Sequence, residues 1–366
     1  MRVAVTGATG NLGTAVLRRL LDPGTGRAPA GESTTVTGVV RRPPDPTTAP
    51  EPLGRVDWVA VDLASDDAER VLAEAFEGHD AVVHLAWGFQ PGRDDARLRA
   101  TAVDGTLNVA RAAVRAGVPH LVHMSSVGAY APRVSLDPVD ESYPTTGVPG
   151  SAYSRDKSDV ERILDGLEAE HPGLAVARLR PGLVGQAEAG SALLRYALPA
   201  LVPRVAVRAV PVLPMDRGTV VPVVHAHDVA DAVRRVLEQR ATGPFNLAAE
   251  PPVTAEDIAT ALGARLVHVP AAVVRRAAAL AWHARVSRLD PGWLDLAHTV
   301  PLVDTTRART ELGWGPGISA TDALADAVAG MAEGPDGGTP VLRPRTVAGE
   351  ARRLLTGLST SRRPTP

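Results

Sequence analysis

Cysteine is absent from the 366 residues, which excludes disulfides, thiolate nucleophiles and thiolate metal sites. Aromatic residues make up only 3%, so the core has to be assembled from small aliphatic side chains, a composition suited to helices packed closely on a parallel sheet. Charge is nearly balanced, with 39 basic and 41 acidic side chains and a net charge of −2. No broad basic field is therefore available for nucleic acid or an acidic membrane. No apolar run approaches a membrane span, since arginines interrupt even the Ala-rich stretch 271–286. The chain opens on a strand-like run, MRVAVTG, in place of a basic segment followed by a long apolar one; no signal peptide is expected, and a cytoplasmic location is. Metal ligands in matched spacing are also lacking, and His225 and His227 in VVHAHDVADAV read as structural.

What is present is a sizeable hydrophobic fraction, 45%, enough for one large domain or two. The run 2–6 is β-branched and ends in TGATGNLG, after which 14–21 reads as a helix. Gly7, Gly10 and Gly13 thus fall at a strand-to-helix turn, in the Gly-x-x-Gly-x-x-Gly spacing that permits a tight turn, close backbone approach to a phosphate and close helix packing. Residues 22–33 read as a lengthened loop leading to a second strand at 35–40, which ends in Arg41-Arg42. An arginine at this strand end accommodates the 2′-phosphate of NADP, whereas a carboxylate binds the 2′-hydroxyl of NAD. No acid follows these arginines before Asp45, so NADP is expected, with NAD as the alternative. Strands at 56–61, 81–85, 120–124 and 174–179 alternate with helices at 65–76, 94–116 and from 151 onward. That alternation specifies an α/β fold, a Rossmann-type doubly wound parallel sheet. His84, inside AVVHLA, reads as a hydrogen-bonded core residue.

On the helix begun by Ser151 as N-cap, Tyr153 and Lys157 of YSRDK share a face four residues apart. A lysine beside a tyrosine lowers the phenol's pKa by its charge, which makes the pair an acid/base device. Before it, SSVGAY delivers Ser125 and Ser126 to the carboxyl edge of the sheet, where ligands of such folds bind. Beyond residue 180 proline-punctuated segments suggest a smaller substrate-binding region. The organisation expected is a dinucleotide-binding domain over 1–180 with return segments after 215, a mainly substrate-binding region over 181–333, and a partly disordered tail over 334–366 with a short helix near 348–355.

In the order TGATGNLG, Asp62-Leu63, HLAW, SSVGAY, YSRDK, RPGLVG, HAHDVADA and TRARTELGW, the chain resembles the extended short-chain dehydrogenases/reductases of the NAD-dependent epimerase/dehydratase type over roughly residues 1 to 330. The resemblance implies Tyr153 as general acid/base, Lys157 on the nicotinamide ribose, and Ser126, rather than its neighbour Ser125, orienting the reacting oxygen. It implies cofactor contacts from Gly7, Thr9, Gly10, Asn11, Leu12 and Gly13 at the pyrophosphate, from Arg41, Asp62 and Leu63 on the adenosine side, from Leu85 and Ala86, and from Pro181 to Val184 on the nicotinamide side. It further implies a small-molecule substrate and a homodimer paired through the helices at 94–116 and 151–170.

Three departures stand out. Ala102 occupies the place of an asparagine common in the family, and Trp87 makes HLAW of the usual HLAA. The Arg-x-Gly-Asp-like stretch by which nucleotide-sugar members hold diphosphate is replaced by DPGWLDLAHTVPLVD. The expected function is an NAD(P)-dependent oxidoreductase that reduces a carbonyl or oxidises an alcohol of a small molecule. The alternatives are a sugar or sugar-nucleotide epimerase/dehydratase, and a non-catalytic NADP(H)-binding redox sensor.

Overall fold

The computed structural model describes residues 1–22, 34–45, 49–88, 94–197, 204–284, 290–335, 337–339 and 341–342. The sheet-forming strands of the first half are β1 (Arg2–Thr6), β2 (Thr35–Val40), β3 (Asp57–Ala60), β4 (Ala81–His84), β5 (His120–Met124) and β6 (Ala175–Pro181). Between them lie α1 (Asn11–Leu21), α2 (Ala68–Phe76), α3 (Asp95–Arg99), α4 (Gly105–Arg115) and α5 (Ala152–Glu170). The second half adds β7 (Leu183–Gly185), α6 (Gly190–Ala197), β8 (Val212–Met215), β9 (Val220–His225), α7 (Ala226–Gln239), β10 (Gly243–Leu247) and β11 (Ala249–Thr254). After these come α8 (Ala255–Leu262), β12 (Arg265–His268), α9 (Ala271–His283), α10 (Pro291–Thr299), α11 (Thr306–Glu311) and α12 (Ala320–Glu333).

The central sheet has seven strands in the order β10-β6-β5-β4-β1-β2-β3, all paired in parallel. Strand order reverses between β1 and β4, and that switch point is where open α/β sheets take their ligands. Alternation along β1 explains the layering: Val3 and Val5 pack with Val16, Leu17 and Val233 of α1 and α7. Ala4 faces the other way, toward Leu72, Val109, Val160 and Leu164 of α2, α4 and α5. Both faces are covered, as a parallel sheet requires, and the small core residues let the helices approach closely.

The segment beyond residue 180 is not a separate layer. β10 pairs with β6 at the edge of the main sheet, and α7 supplies the helix beside α1. β11, β9 and β7 form a three-stranded sheet, and β12 pairs with β8.

The helix expected over 94–116 is interrupted. A π-helical turn, Ala100–Asp104, separates α3 from α4. There Thr106 turns its hydroxyl back onto the Ala102 carbonyl at 2.5 Å, and Gly105 lies so close to Leu63 that an added Cβ would stand 3.0 Å from its side chain. Such bulges occur where neighbouring structure dictates the path of a helix. No helix among the described residues is long and apolar enough to cross a membrane. The loop over 22–33 falls outside the described residues from 23 onward, and so does the helix expected near 348–355. Within the expected tail, Thr339 is buried and donates its hydroxyl to the Thr9 carbonyl at 2.9 Å, which brings this end of the chain onto the glycine turn.

Candidate active site

β1 delivers the chain to the switch point in a sharp turn. Gly7 has φ +70° and its amide donates to the Val39 carbonyl at 3.0 Å. A Cβ here would stand 2.7 Å from the Ala86 amide nitrogen, and one at Gly13 would stand 2.3 Å from the Gly7 carbonyl oxygen. Both positions therefore need glycine, the first for its conformation and the second for helix-to-strand contact. The first helical bond of α1 runs from the Thr14 amide to Gly10. The amides of Asn11, Leu12 and Gly13 precede it and are the first-turn donors of α1, at the positive end of its dipole. Gln186 donates to the Asn11 carbonyl at 2.8 Å and ties the segment after β7 to this turn.

Around the cradle stand the other expected cofactor positions. Arg41 is exposed at the end of β2. Asp62 is exposed after β3, and its carboxylate accepts the Ala64 amide at 3.2 Å. Leu63 is buried, with its carbonyl held by Asn108 at 2.9 Å. The Leu85 amide donates to the Thr6 carbonyl at 3.2 Å, placing Leu85 and Ala86 against the glycine turn. Pro181 ends β6, followed by Gly182, whose amide donates to the Leu247 carbonyl at 2.9 Å; Val184 is half-buried on β7.

α5 starts at the cap foreseen, with Ser151 Oγ accepting the Ser154 amide at 3.3 Å. Its inward face carries Tyr153, Lys157 and Glu161 in successive turns. The Tyr153 phenol is hydrogen-bonded to Ser126, and burial pushes its pKa up to about 12 against that bond. Ser126 Oγ accepts the Gly128 amide at 2.9 Å, which leaves its hydroxyl hydrogen to be donated. Ser125 is committed elsewhere, donating to Glu161 at 2.5 Å.

Lys157 is buried, donates to the Met124 carbonyl at 2.8 Å and stands 3.4 Å from the centre of the Trp87 ring. Burial lowers its pKa to about 7, opposed by the Glu161 carboxylate. The expectation that Lys157 depresses the phenol's pKa is thus corrected for the chain by itself. Its ammonium is spent on a carbonyl and an indole face, and desolvation dominates the phenol.

Behind the pair lies a buried network that sequence reasoning missed. Arg180 bonds both Glu161 oxygens at 2.9 Å and donates to the Tyr130 hydroxyl at 3.0 Å. Tyr130 in turn donates to Asn246 at 2.7 Å, so β6, α5 and β10 are joined at one point. Only the spacing of Glu161 from Lys157, four residues on one helical face, hinted at it.

Also missed was Trp293, on α10. Its ring centre lies 4.9 Å from that of Tyr153, and the Trp87 ring meets Tyr153 edge-on at 6.0 Å. The signal was the start of α10 itself, with Asp290 as cap and Pro291 in the first turn.

His84 is the hydrogen-bonded core residue expected, shared between Thr6 at 2.6 Å and Thr106 at 2.9 Å, and burial with the nearby Lys157 charge lowers it to about 3. His225 caps α7 by accepting the His227 amide at 3.1 Å.

The sequence model of the NAD-dependent epimerase/dehydratase family matches residues 3–248. An uncharacterised protein of Mycobacterium tuberculosis (strain H37Rv) is 30% identical over 331 residues, 89% of this chain but only 29% of its own length. The chain therefore spans less than a third of that relative. Sterol demethylase protein B of Methylococcus capsulatus (strain Bath) is 31% identical over 91% of the chain and 99% of its own length. Among solved structures, the dTDP-glucose 4,6-dehydratase of Streptomyces venezuelae with NAD bound superposes with a TM-score of 0.67 at 22% identity, covering 94% of this chain and 100% of that one. Because the family model covers well over half of the chain, from the glycine turn through the Tyr153 helix to the returning strand β10, the chain belongs to the NAD-dependent epimerase/dehydratase family.

Proposed function

We propose that the protein is an NADP-preferring oxidoreductase that reduces a carbonyl, or oxidises the corresponding alcohol, with Tyr153 as proton donor and acceptor. The observation that carries this reading is Ser126 hydrogen-bonded to the Tyr153 phenol one helical turn before the buried Lys157. The cofactor's place is supported by the cradle: backbone is bare at Gly7, Gly10 and Gly13 where a Cβ would collide or crowd, and the first-turn amides suit a pyrophosphate. Arg41 and Arg42 at the end of β2, without an acid before Asp45, favour a 2′-phosphate.

When bound, a nicotinamide cofactor supplies or removes the hydride at the substrate carbon. The chain's residues do the rest. Ser126 donates to the substrate oxygen and fixes it beside the phenol. Tyr153, neutral at physiological pH like any phenol and held more firmly so by burial, passes its proton to the oxygen as the carbon is reduced, and takes it back in the oxidation. Lys157 would hold the cofactor's ribose and, in its charged form, would support the phenolate left behind. Glu161, anchored by Arg180, sets the helix face and favours the charged lysine.

The name of the relative from Methylococcus capsulatus points to a sterol, an apolar body unlike a nucleotide sugar. It supports a substrate without diphosphate, in keeping with the lost arginine stretch.

The test has two arms. NADPH and NADH are titrated into wild-type and Arg41→Asp protein, and an NADPH preference that collapses in the variant is expected. NADPH oxidation is then followed with a carbonyl panel, where Tyr153→Phe is expected to lose at least a hundredfold in turnover. Full turnover by Tyr153→Phe on an identified substrate refutes the assignment.

A further inference from the structure

We propose that the site takes its carbonyl on a flat, apolar ring body and that Trp293 selects that body; this rests on Tyr153 being the reacting phenol. Aromatic residues are scarce in this chain, yet two of its five tryptophans meet one tyrosine. The Trp293 ring lies tilted at 35° to Tyr153, close to an offset stack, while Trp87 presents at 75°. A flat ring whose carbonyl reaches the phenol finds indole surface beside it, and such surface rewards planar π-bodies over aliphatic chains of equal length.

The placement of Trp293 is built in. Gly292 lies so close to the loop before α5 that a Cβ would stand 2.4 Å from the Gly150 carbonyl, and its amide donates to Asp290 at 2.8 Å. Farther along α10, Asp295 is paired with Arg275 at 2.6 Å, and Leu296 is buried in the cluster that holds Val127 and Tyr130. The helix carrying Trp293 is therefore pinned, backbone against backbone, to the start of the helix carrying Tyr153.

Charge argues the same way. From 290 to 303 there is neither lysine nor arginine. The nearby Arg133 already spends its guanidinium on the carbonyls of Val220 at 3.1 Å and Gly218 at 3.2 Å. A diphosphate would find no lysine or arginine on α10 and a neighbouring Arg133 already engaged, whereas an apolar ring meets Trp293.

The experiment compares 2-acetonaphthone, 2-butanone and UDP-glucose as probes, with NADPH, on wild type, Trp293→Leu and Trp293→Phe. Turnover is read as kcat and KM, binding of each probe is read by calorimetry with NADP present, and each variant is checked by NADPH titration and circular dichroism. Wild type is expected to favour the naphthyl ketone at least about tenfold over butanone and to ignore UDP-glucose. Trp293→Leu is expected to lose roughly tenfold in kcat/KM for the naphthyl ketone, mainly through KM, with NADPH binding unchanged, and Trp293→Phe to keep most of it.

Three results overturn the proposal: binding or turnover of UDP-glucose, discrimination that survives Trp293→Leu, or failure of the naphthyl ketone to bind wild-type protein that still binds NADPH. Failure of the underlying reading is distinct, since it appears as turnover that survives Tyr153→Phe.

Discussion

The buried ammonium of Lys157 should be visible in the protein's stability before any substrate is known. Burial lowers its pKa to about 7 in the folded chain, while in the unfolded chain it titrates near its ordinary 10.5. Between pH 7 and 10 the unfolded state therefore binds a proton at this position that the folded state has released, and stability gains from rising pH by roughly 1.4 kcal/mol per unit. Over three units the gain is about 4 kcal/mol. Below pH 7 both states hold the proton and the contribution is flat. Tyr153, whose pKa is pushed up to about 12, acts in the opposite direction, but only above pH 10, where the unfolded phenol starts to ionise. Urea unfolding of wild type and Lys157→Met at pH 6, 7, 8.5 and 10 isolates the lysine, because the other groups cancel in the difference. The wild-type-minus-variant stability should be constant from pH 6 to 7 and then climb by about 4 kcal/mol to pH 10. Parallel curves across the whole range would show that the ammonium is solvated in the folded chain and that the burial argument is wrong.

Gly7→Ala places a side chain at φ +70° and within 2.7 Å of the Ala86 amide; a cost of about 1–3 kcal/mol in urea and a loss of NADPH binding are expected, and unaltered binding would mean the turn is not the phosphate cradle. Glu161→Ala leaves Arg180 buried without its carboxylate, which should cost about 3–5 kcal/mol; a loss below 1 kcal/mol would show that water reaches the network. Thr339→Val removes the hydroxyl that donates to the Thr9 carbonyl and should cost about 1 kcal/mol while weakening NADPH severalfold; an unchanged dissociation constant would mean this contact does not reach the cofactor cleft.

What the sequence discloses follows the range of the forces involved. β5 begins and ends where the expected strand does, at His120 and Met124, because a fully buried parallel strand needs little beyond its own side chains. Tyr153 and Lys157 were legible for the same reason, since four residues on a helix set a shared face without reference to the rest of the chain. The break between α3 and α4 was not, because the close approach of Gly105 to Leu63, across the layer, leaves no mark in the local pattern. Nor was the phenol's raised pKa, which depends on how deeply α5 is buried and on a lysine turned to the Met124 carbonyl.

The choice of Ser126 over Ser125 shows the boundary most clearly. The two are adjacent and chemically identical, and what separates them is Glu161, 36 positions away, which accepts the Ser125 hydroxyl while itself being held by Arg180. Trp293 reaches Tyr153 across a still longer stretch of chain. The groups proposed to handle the proton thus lie on elements whose local pattern announces them, whereas the residues proposed to shape the substrate's surroundings arrive by tertiary contact. Within one family the acid/base pair can therefore stay readable while the substrate changes, and a substitution such as Trp293→Leu should move KM without moving the chemistry of Tyr153.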